Sequence, residues 1–240
     1  MSTDGGAARI LVVTAIREEL AAFARKRLPP GVVAAATGDG PVRAARSVAA
    51  LCAHYRPGLL IGAGVAGGLT PDLGAGDLVV GHRILDADGE APPPLGGLVV
   101  AAAAKPGAQQ GTLLTLDRPL VSPSEKEEWG ARVGPPPATV DMESAAWARA
   151  AAGHGVPFLI VRIVSDTAEE ELPGYLSRCM DSQGGIRRSA VALSALLHPR
   201  TIPRLRRLRS VVLDCADRLA EFVLHVAGEV VLPVIPRSEP

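Results

Sequence analysis

The stretch F-L-I-V-R-I-V, residues 158–164, decides the fold. Six of its seven residues are apolar, and Ile160, Val161, Ile163 and Val164 are β-branched. So continuous an apolar run reads as a strand covered on both faces, which is how strands of parallel sheets look. Working back from it, residues 144–154 read as a helix that follows a strand end at 139–141. Residues 9–13 (R-I-L-V-V) predict a first strand, 18–27 a helix and 32–36 a second strand. T-G-D-G-P (37–41) is a glycine-rich turn opening a helix over 42–55, where Val42, Ala45, Val48 and Ala49 recur at helical spacing and Pro57 marks the stop. Residues 59–61 predict a buried strand, G-A-G-V-A-G-G (62–68) a second glycine turn, and 77–80 another strand. Residues 86–111, rich in Pro and Gly, read as loops flanking 98–104; 112–116 is a strand and 135–137 a proline connector. Strands alternating with helices predict a three-layer α/β/α sandwich around a mixed, largely parallel central sheet.

From residue 201 to about 227 the pattern becomes helical. Leu205, Leu208, Val212, Cys215, Leu219, Phe222 and Val226 form one apolar stripe, and Arg200, Arg204, Arg206, Arg207 and Arg209 crowd its start. Residues 1–195 are therefore expected to form one domain and 196–240 an amphipathic helical extension. That extension would pack on the domain, pair with a second subunit or, through residues 200–227, meet anionic lipid at a membrane surface.

Composition narrows the function classes. The chain has 240 residues, 48% apolar and 21% charged, enough for a sizeable core. Its 25 basic and 25 acidic residues cancel, and only seven residues are aromatic, so no nucleic-acid partner is expected. Cys52, Cys179 and Cys215 are odd in number and widely separated, which argues against a disulfide scaffold and for a reducing compartment. Arg9, Arg17, Glu18 and Glu19 interrupt the first apolar stretch, and no run is long enough to span a bilayer. A cytoplasmic protein is expected, with peripheral contact at the inner membrane face as the alternative. The five histidines lack metal-ligand spacing, so neither metal nor cofactor is expected.

Ligands of open α/β folds collect beyond the carboxyl ends of the strands. Glu18, Glu143 and Asp166 fall at three such ends, and carboxylates gathered from distant parts of the chain suit general acid–base chemistry on a polar small molecule. Arg162 interrupts an apolar strand, where a guanidinium needs a carboxylate partner; Glu18 is the expected one. Glu125, Lys126, Glu127 and Glu128 read as a solvated helical face.

Taken in order, V-V-T-A-I-R-E-E-L (12–20), G-A-G-V-A-G-G-L (62–69), G-D-L-V-V (76–80), V-D-M-E-S-A-A (140–146) and G-V-P-F-L-I-V-R-I-V-S-D (155–166) resemble the purine nucleoside phosphorylase and nucleosidase superfamily. The likeness is strongest to methylthioadenosine/S-adenosylhomocysteine nucleosidases. Farther on, Leu172-Pro173, D-x-x-G-G-I (181–186) and L-L-H-P-R-T-I-P-R-L (196–205) resemble the hopanoid-associated phosphorylases, which implies removal of adenine from adenosylhopane to leave a ribosyl-type hopane. The resemblance implies that Asp166 protonates purine N7, a role that needs the carboxyl to hold its proton, as burial favours. It implies that Glu143 accepts the ribose hydroxyls, that Met142 packs on the sugar, and that Glu18 deprotonates a water held by Arg162. Ser165, Leu120 and Val121 would frame the base, and Val65 and Gly67 would line the glycine segment. It also implies a homodimer.

Two departures bear on the nucleophile. Val65 stands where many relatives carry Ser or Thr, and no G-D-P-x-R phosphate loop is present; Glu18 occupies that region instead. Hydrolysis is expected over phosphorolysis, although Arg17, Arg43 and Arg46 keep phosphate in view as a partner. The competing readings are a nucleosidase for a soluble substrate such as methylthioadenosine, adenosylhomocysteine or futalosine, and a non-catalytic nucleoside sensor.

Overall fold

A computed structural model describes residues 10–135, 137–181 and 184–230. Arg9, Pro136, part of the 181–186 segment and the end of the 196–240 extension lie outside them. The chain runs β1 (Ile10–Thr14), α1 (Arg17–Ala24), β2 (Val32–Ala36), α2 (Pro41–Tyr55), β3 (Leu59–Gly68), β4 (Leu78–Asp86), β5 (Gly89–Glu90) and α3 (Gly96–Ala103). It continues through β6 (Ala108–Thr115), α4 (Pro123–Val133), β7 (Ala138–Asp141), α5 (Ser144–Gly153), β8 (Phe158–Asp166), α6 (Arg188–Leu197) and α7 (Ile202–Glu229).

The strands form one mixed, largely parallel sheet. β1 pairs in parallel with β2 and β3, β3 with β8, and β6 with β4 and β7; β4–β8, β3–β7 and β4–β5 are antiparallel. Through these pairings β3, β8, β4, β6 and β7 close into a ring, so the sheet is an open α/β sheet on the β1–β2 side and a barrel on the other. Helices cover both faces, as the alternating pattern predicts. Every residue of β8 is buried. Leu159, Val161 and Ile163 face α1, α3 and α7, whereas Phe158, Ile160 and Val164 face α2 and α5.

Local chemistry sets the element ends. Pro41 opens α2, where its missing N–H costs nothing, and Arg56 closes it with φ 46° just before Pro57. Ser122 caps α4 by accepting from the Glu125 N–H, while the Glu125 carboxylate reaches back to Ser122 N–H, a reciprocal pair.

Two readings of the sequence change, and one choice among its alternatives is made. The glycine segment 62–68 is not a turn: β3 runs unbroken from Leu59 to Gly68. Its glycines make room instead, since a Cβ on Gly62 would lie 2.7 Å from the Trp147 ring. The segment 86–111 is more ordered than its Pro and Gly content suggests, holding β5, α3 and the start of β6. The apolar stripe of α7 packs on the domain, with Cys215, Leu219, Phe222, Val223 and Val226 in the core shared with α1, β3 and β8. Among the described residues no helix is long and apolar enough to cross a membrane.

Candidate active site

Beyond the carboxyl ends of β1, β3, β7 and β8 lies a cleft of about 300 Å³, near the lower end for small-molecule sites. Glu19, Asp39, Asp141, Glu143 and Asp166 supply its acidic lining, Arg118 and Ser165 add polar groups, and Val65, Gly67, Leu120 and Met142 also reach it. Apolar side chains from later in the chain, Leu172, Leu176, Ile186, Leu208 and Val212, form the opposite wall. Of the expected residues, Glu143, Met142, Asp166, Ser165, Val65, Gly67 and Leu120 thus share one cavity. Val121 does not line it; it packs beside Tyr175 and Leu176.

The glutamate that enters the cleft is Glu19, one residue beyond Glu18. Glu18 is half-buried in the first turn of α1 and outside the lining, whereas Glu19 is 2% exposed. One Glu19 oxygen accepts from the N–H groups of Ala15 and Ile16 at 3.0 and 3.1 Å, and the other from Val65 N–H at 2.9 Å. Adjacent helical residues point about 100° apart, so only one of the pair can do this.

Arg162 lies wholly buried beneath the cleft. The expected pairing with Glu18 is replaced by Asp141 at 3.2 Å and Glu143 at 3.5 Å. Its Nε donates to Ser144 Oγ at 2.9 Å, and its guanidinium carbon stacks 4.6 Å from the Trp147 ring centroid. Asp141 is pinned in turn by the N–H groups of Glu143 and Ser144, by Ser144 Oγ and by Thr115 Oγ1. Asp141 and Arg162 therefore hold the N-terminus of α5, and with it the Glu143 side chain, at a fixed height.

Burial pushes the Glu143 carboxyl up to about 7, against the pull of Arg162; the charges of Asp141 and Glu19 add to the rise. Gly40 N–H donates to its other oxygen at 2.9 Å. Burial likewise raises Glu19, opposed by Val65 N–H and Arg162. Glu143 is thus set to trade a proton near neutrality, which is where acid–base groups of enzymes are tuned, and burial moves Glu19 in the same direction.

Asp166 stands at the end of β8, where the β3–β8 register slips between Ala66 and Gly67. Gly67 pairs with Asp166 rather than Ser165, and this bulge brings both side chains to the cleft. Ser165 Oγ donates to one Asp166 oxygen at 2.7 Å, and Lys126 Nζ donates to the other at 2.6 Å. Lys126 is wholly buried, so the charged run on α4 is not solvated throughout; Glu127 and Glu128 are exposed, and Lys126 turns inward. Helical spacing offers a signal, because Lys126 shares a face with Gly130 and Val133, both buried. Among the described residues no cluster of three or more His, Cys, Asp or Glu is placed to hold a metal ion.

An α/β fold whose strand ends gather buried carboxylates around an apolar-walled cleft has the layout of a small-molecule site. Residues 23–198 match the family model described as the phosphorylase superfamily, and the chain belongs to that family. It is 36% identical over 197 residues to the futalosine hydrolase of Streptomyces coelicolor, covering 65% of this chain and 83% of that one. It is 33% identical over 156 residues to the 5′-methylthioadenosine/S-adenosylhomocysteine nucleosidase of Geobacillus kaustophilus, covering 56% of this chain. That alignment spans 66%, just under two thirds, of the nucleosidase's own length. Among solved structures, the Neisseria meningitidis nucleosidase of the same name, in complex with methylthio-immucillin-A, superposes with TM-score 0.69 at 21% identity, covering 92% of this chain and 99% of that one. The native futalosine hydrolase of Helicobacter pylori gives 0.68 at 18%, covering 93% and 99%. The two superpositions establish the shared fold.

Proposed function

We propose that this protein hydrolyses the N-glycosidic bond of an adenine nucleoside and releases adenine. The observation that carries the reading is the convergence of Glu19, Glu143 and Asp166 on one cleft beside buried Arg162. In this mechanism the C1′–N9 bond breaks with its electron pair moving to the purine, and the Asp166 carboxyl gives its proton to N7. Glu143 accepts the ribose hydroxyls, and its negative charge favours the cation growing on the sugar. Water bonds to C1′ and yields its proton to Glu19. Met142 packs on the sugar, and Ser165 and Leu120 frame the base.

Water is favoured over phosphate by charge. Five carboxylates line the cleft against one lining cation, Arg118, which is itself paired with Glu125 at 2.7 Å. Arg43 is committed to Asp181 at 2.7 Å. A phosphate dianion would meet carboxylates there, with Arg162 and Lys126 already paired to Asp141, Glu143 and Asp166.

The substrate proposed within this class is a lipid-linked adenosine such as adenosylhopane. The apolar wall of Leu172, Leu176, Ile186, Leu208 and Val212 supports it, because each Å² of apolar surface covered contributes about 25 cal/mol. A cleft of about 300 Å³ suits the nucleoside, and a polycyclic body would leave through its mouth. Exposed Leu193 and Leu197, followed by the exposed arginines 200, 204, 206, 207 and 209, support contact with an anionic bilayer, and the protein would act at the inner face of the membrane. Arg204 and Arg207 also pair with Glu171 and Glu170, so lipid would have to compete with those acids. A homodimer is part of the proposal, checked by sedimentation equilibrium.

The test is a panel of adenosine derivatives differing in the 5′-group, scored by free adenine with and without phosphate. Release without phosphate, rising with the apolar size of the 5′-group, is expected. Strict phosphate dependence ends the hydrolytic reading, and a preference for small polar 5′-groups ends the lipid one. Binding without turnover for every member would make the protein a sensor.

A further inference from the structure

Lys126 is the one buried ammonium among the described residues, and the mechanism above does not use it. Its Nζ donates to Asp166 Oδ2 at 2.6 Å, to Thr167 O at 2.6 Å and to Glu170 O at 3.0 Å, so each of its three N–H groups has an acceptor. Taking an ammonium out of water costs several kcal/mol, which a structural tie between a helix and a loop could avoid by using a neutral side chain. The surroundings are built to admit it. Gly130, one turn farther along α4, lies against the Leu69 carbonyl with no room for a Cβ, which brings the helix close to the end of β3. Gly67 leaves space beside Asp166 Oδ2, where a Cβ would stand 3.0 Å away.

We propose that Lys126 is a positioning residue for proton delivery to the departing base. This rests on the nucleosidase reading. With Oδ2 held by Lys126 and Oδ1 by Ser165, the carboxyl of Asp166 has one fixed orientation toward the cleft. When the glycosidic bond breaks, the purine takes the electron pair and N7 takes the proton from Asp166. The carboxylate left behind is matched by the Lys126 ammonium without any side-chain movement, a preorganised charge in a site of low dielectric. The aid is confined to leaving groups that must be protonated.

That restriction supplies the test. Lys126→Met keeps the length and removes the charge. It is compared with wild type on adenosine-type substrates and on 4-nitrophenyl riboside, whose phenolate leaves unprotonated. The expected result is a fall in kcat for adenine release of about 100-fold, within the range for a lost general acid, with KM changed less than threefold. Cleavage of the nitrophenyl riboside should stay within threefold, and Lys126→Met combined with Asp166→Asn should cost little more than Asp166→Asn alone. If both substrates lose rate together, Lys126 only supports the fold. If neither loses rate, it has no part in proton delivery. Lys126→Gln, which retains two donors, is read by the same criteria if the Met variant does not fold. A wild-type protein that cleaves neither substrate refutes the nucleosidase reading itself, an outcome distinct from a failure of the role given to Lys126.

Discussion

Gly64 and Arg162 face each other across adjacent strands, and the guanidinium occupies the space a side chain at 64 would need. A Cβ there would overlap Arg162 Nη1 and come within 3.0 Å of Glu19 Oε1. The glycine of β3 is thus what lets a cation and a carboxylate sit side by side under the cleft.

Gly64→Ala should therefore act at a distance from any substrate. Overpacking of this kind typically costs 1–3 kcal/mol. The expected outcome is a lower melting temperature together with impaired turnover, read by thermal unfolding and by adenine release on the same preparation.

Replacing Arg162 by Met should be more severe. It strands Asp141 and Glu143 without their cation, and breaking a buried ion pair by removing one partner costs about 3–5 kcal/mol. The damage should shrink in acid, where the stranded carboxyls take up protons. Urea unfolding at pH 5 and at pH 8 measures both effects.

Glu18 and Glu19 are separable by paired substitution. Glu19→Gln should lower kcat by about 100-fold or more, the scale of a lost general base. Glu18→Gln should stay close to wild type. The opposite ranking would return the water-activating role to Glu18.

Glu143 predicts two opposed pH dependences. Its folded value of about 7 lies above its ordinary value of 4.5, so between these limits the native state binds more protons than the unfolded chain. Stability therefore falls as pH rises from about 4.5 to 7 and levels off above that window. Ribose hydroxyls donate to the ionised carboxylate, so nucleoside binding should tighten as pH rises across the same range. Glu143→Gln should flatten both slopes, measured by denaturant titration and by calorimetric binding.

Much of this was legible in the sequence. The buried β8, the strand and helix order around it, and the strand-end places of Glu143 and Asp166 follow from the apolar runs, whereas Met142 and Ser165 follow from the family resemblance. What could not be read depends on partners remote in the chain. Seven residues with four glycines look like a turn until Trp147, Arg162 and Asp166 are seen to require the missing side chains. The choice between Glu18 and Glu19 rests on where α1 begins. Glu19 holds the third helical position, which can reach back to the N–H of the preceding cap, and that was the available clue. Lys126 was hidden by its neighbours, because three glutamates around one lysine resemble a solvent-facing surface whatever the lysine does.

The packing of α7 has a consequence for how the molecule is made. One face of β3 and β8 is sealed by Cys215, Leu219, Phe222, Val223 and Val226, which leave the ribosome after every strand among the described residues has emerged. Until α7 arrives, the nascent sheet carries an oily surface open to strangers. Closure of this face thus waits on a segment made after the described strands, and a chain stalled before α7 would expose a natural target for chaperones and proteases.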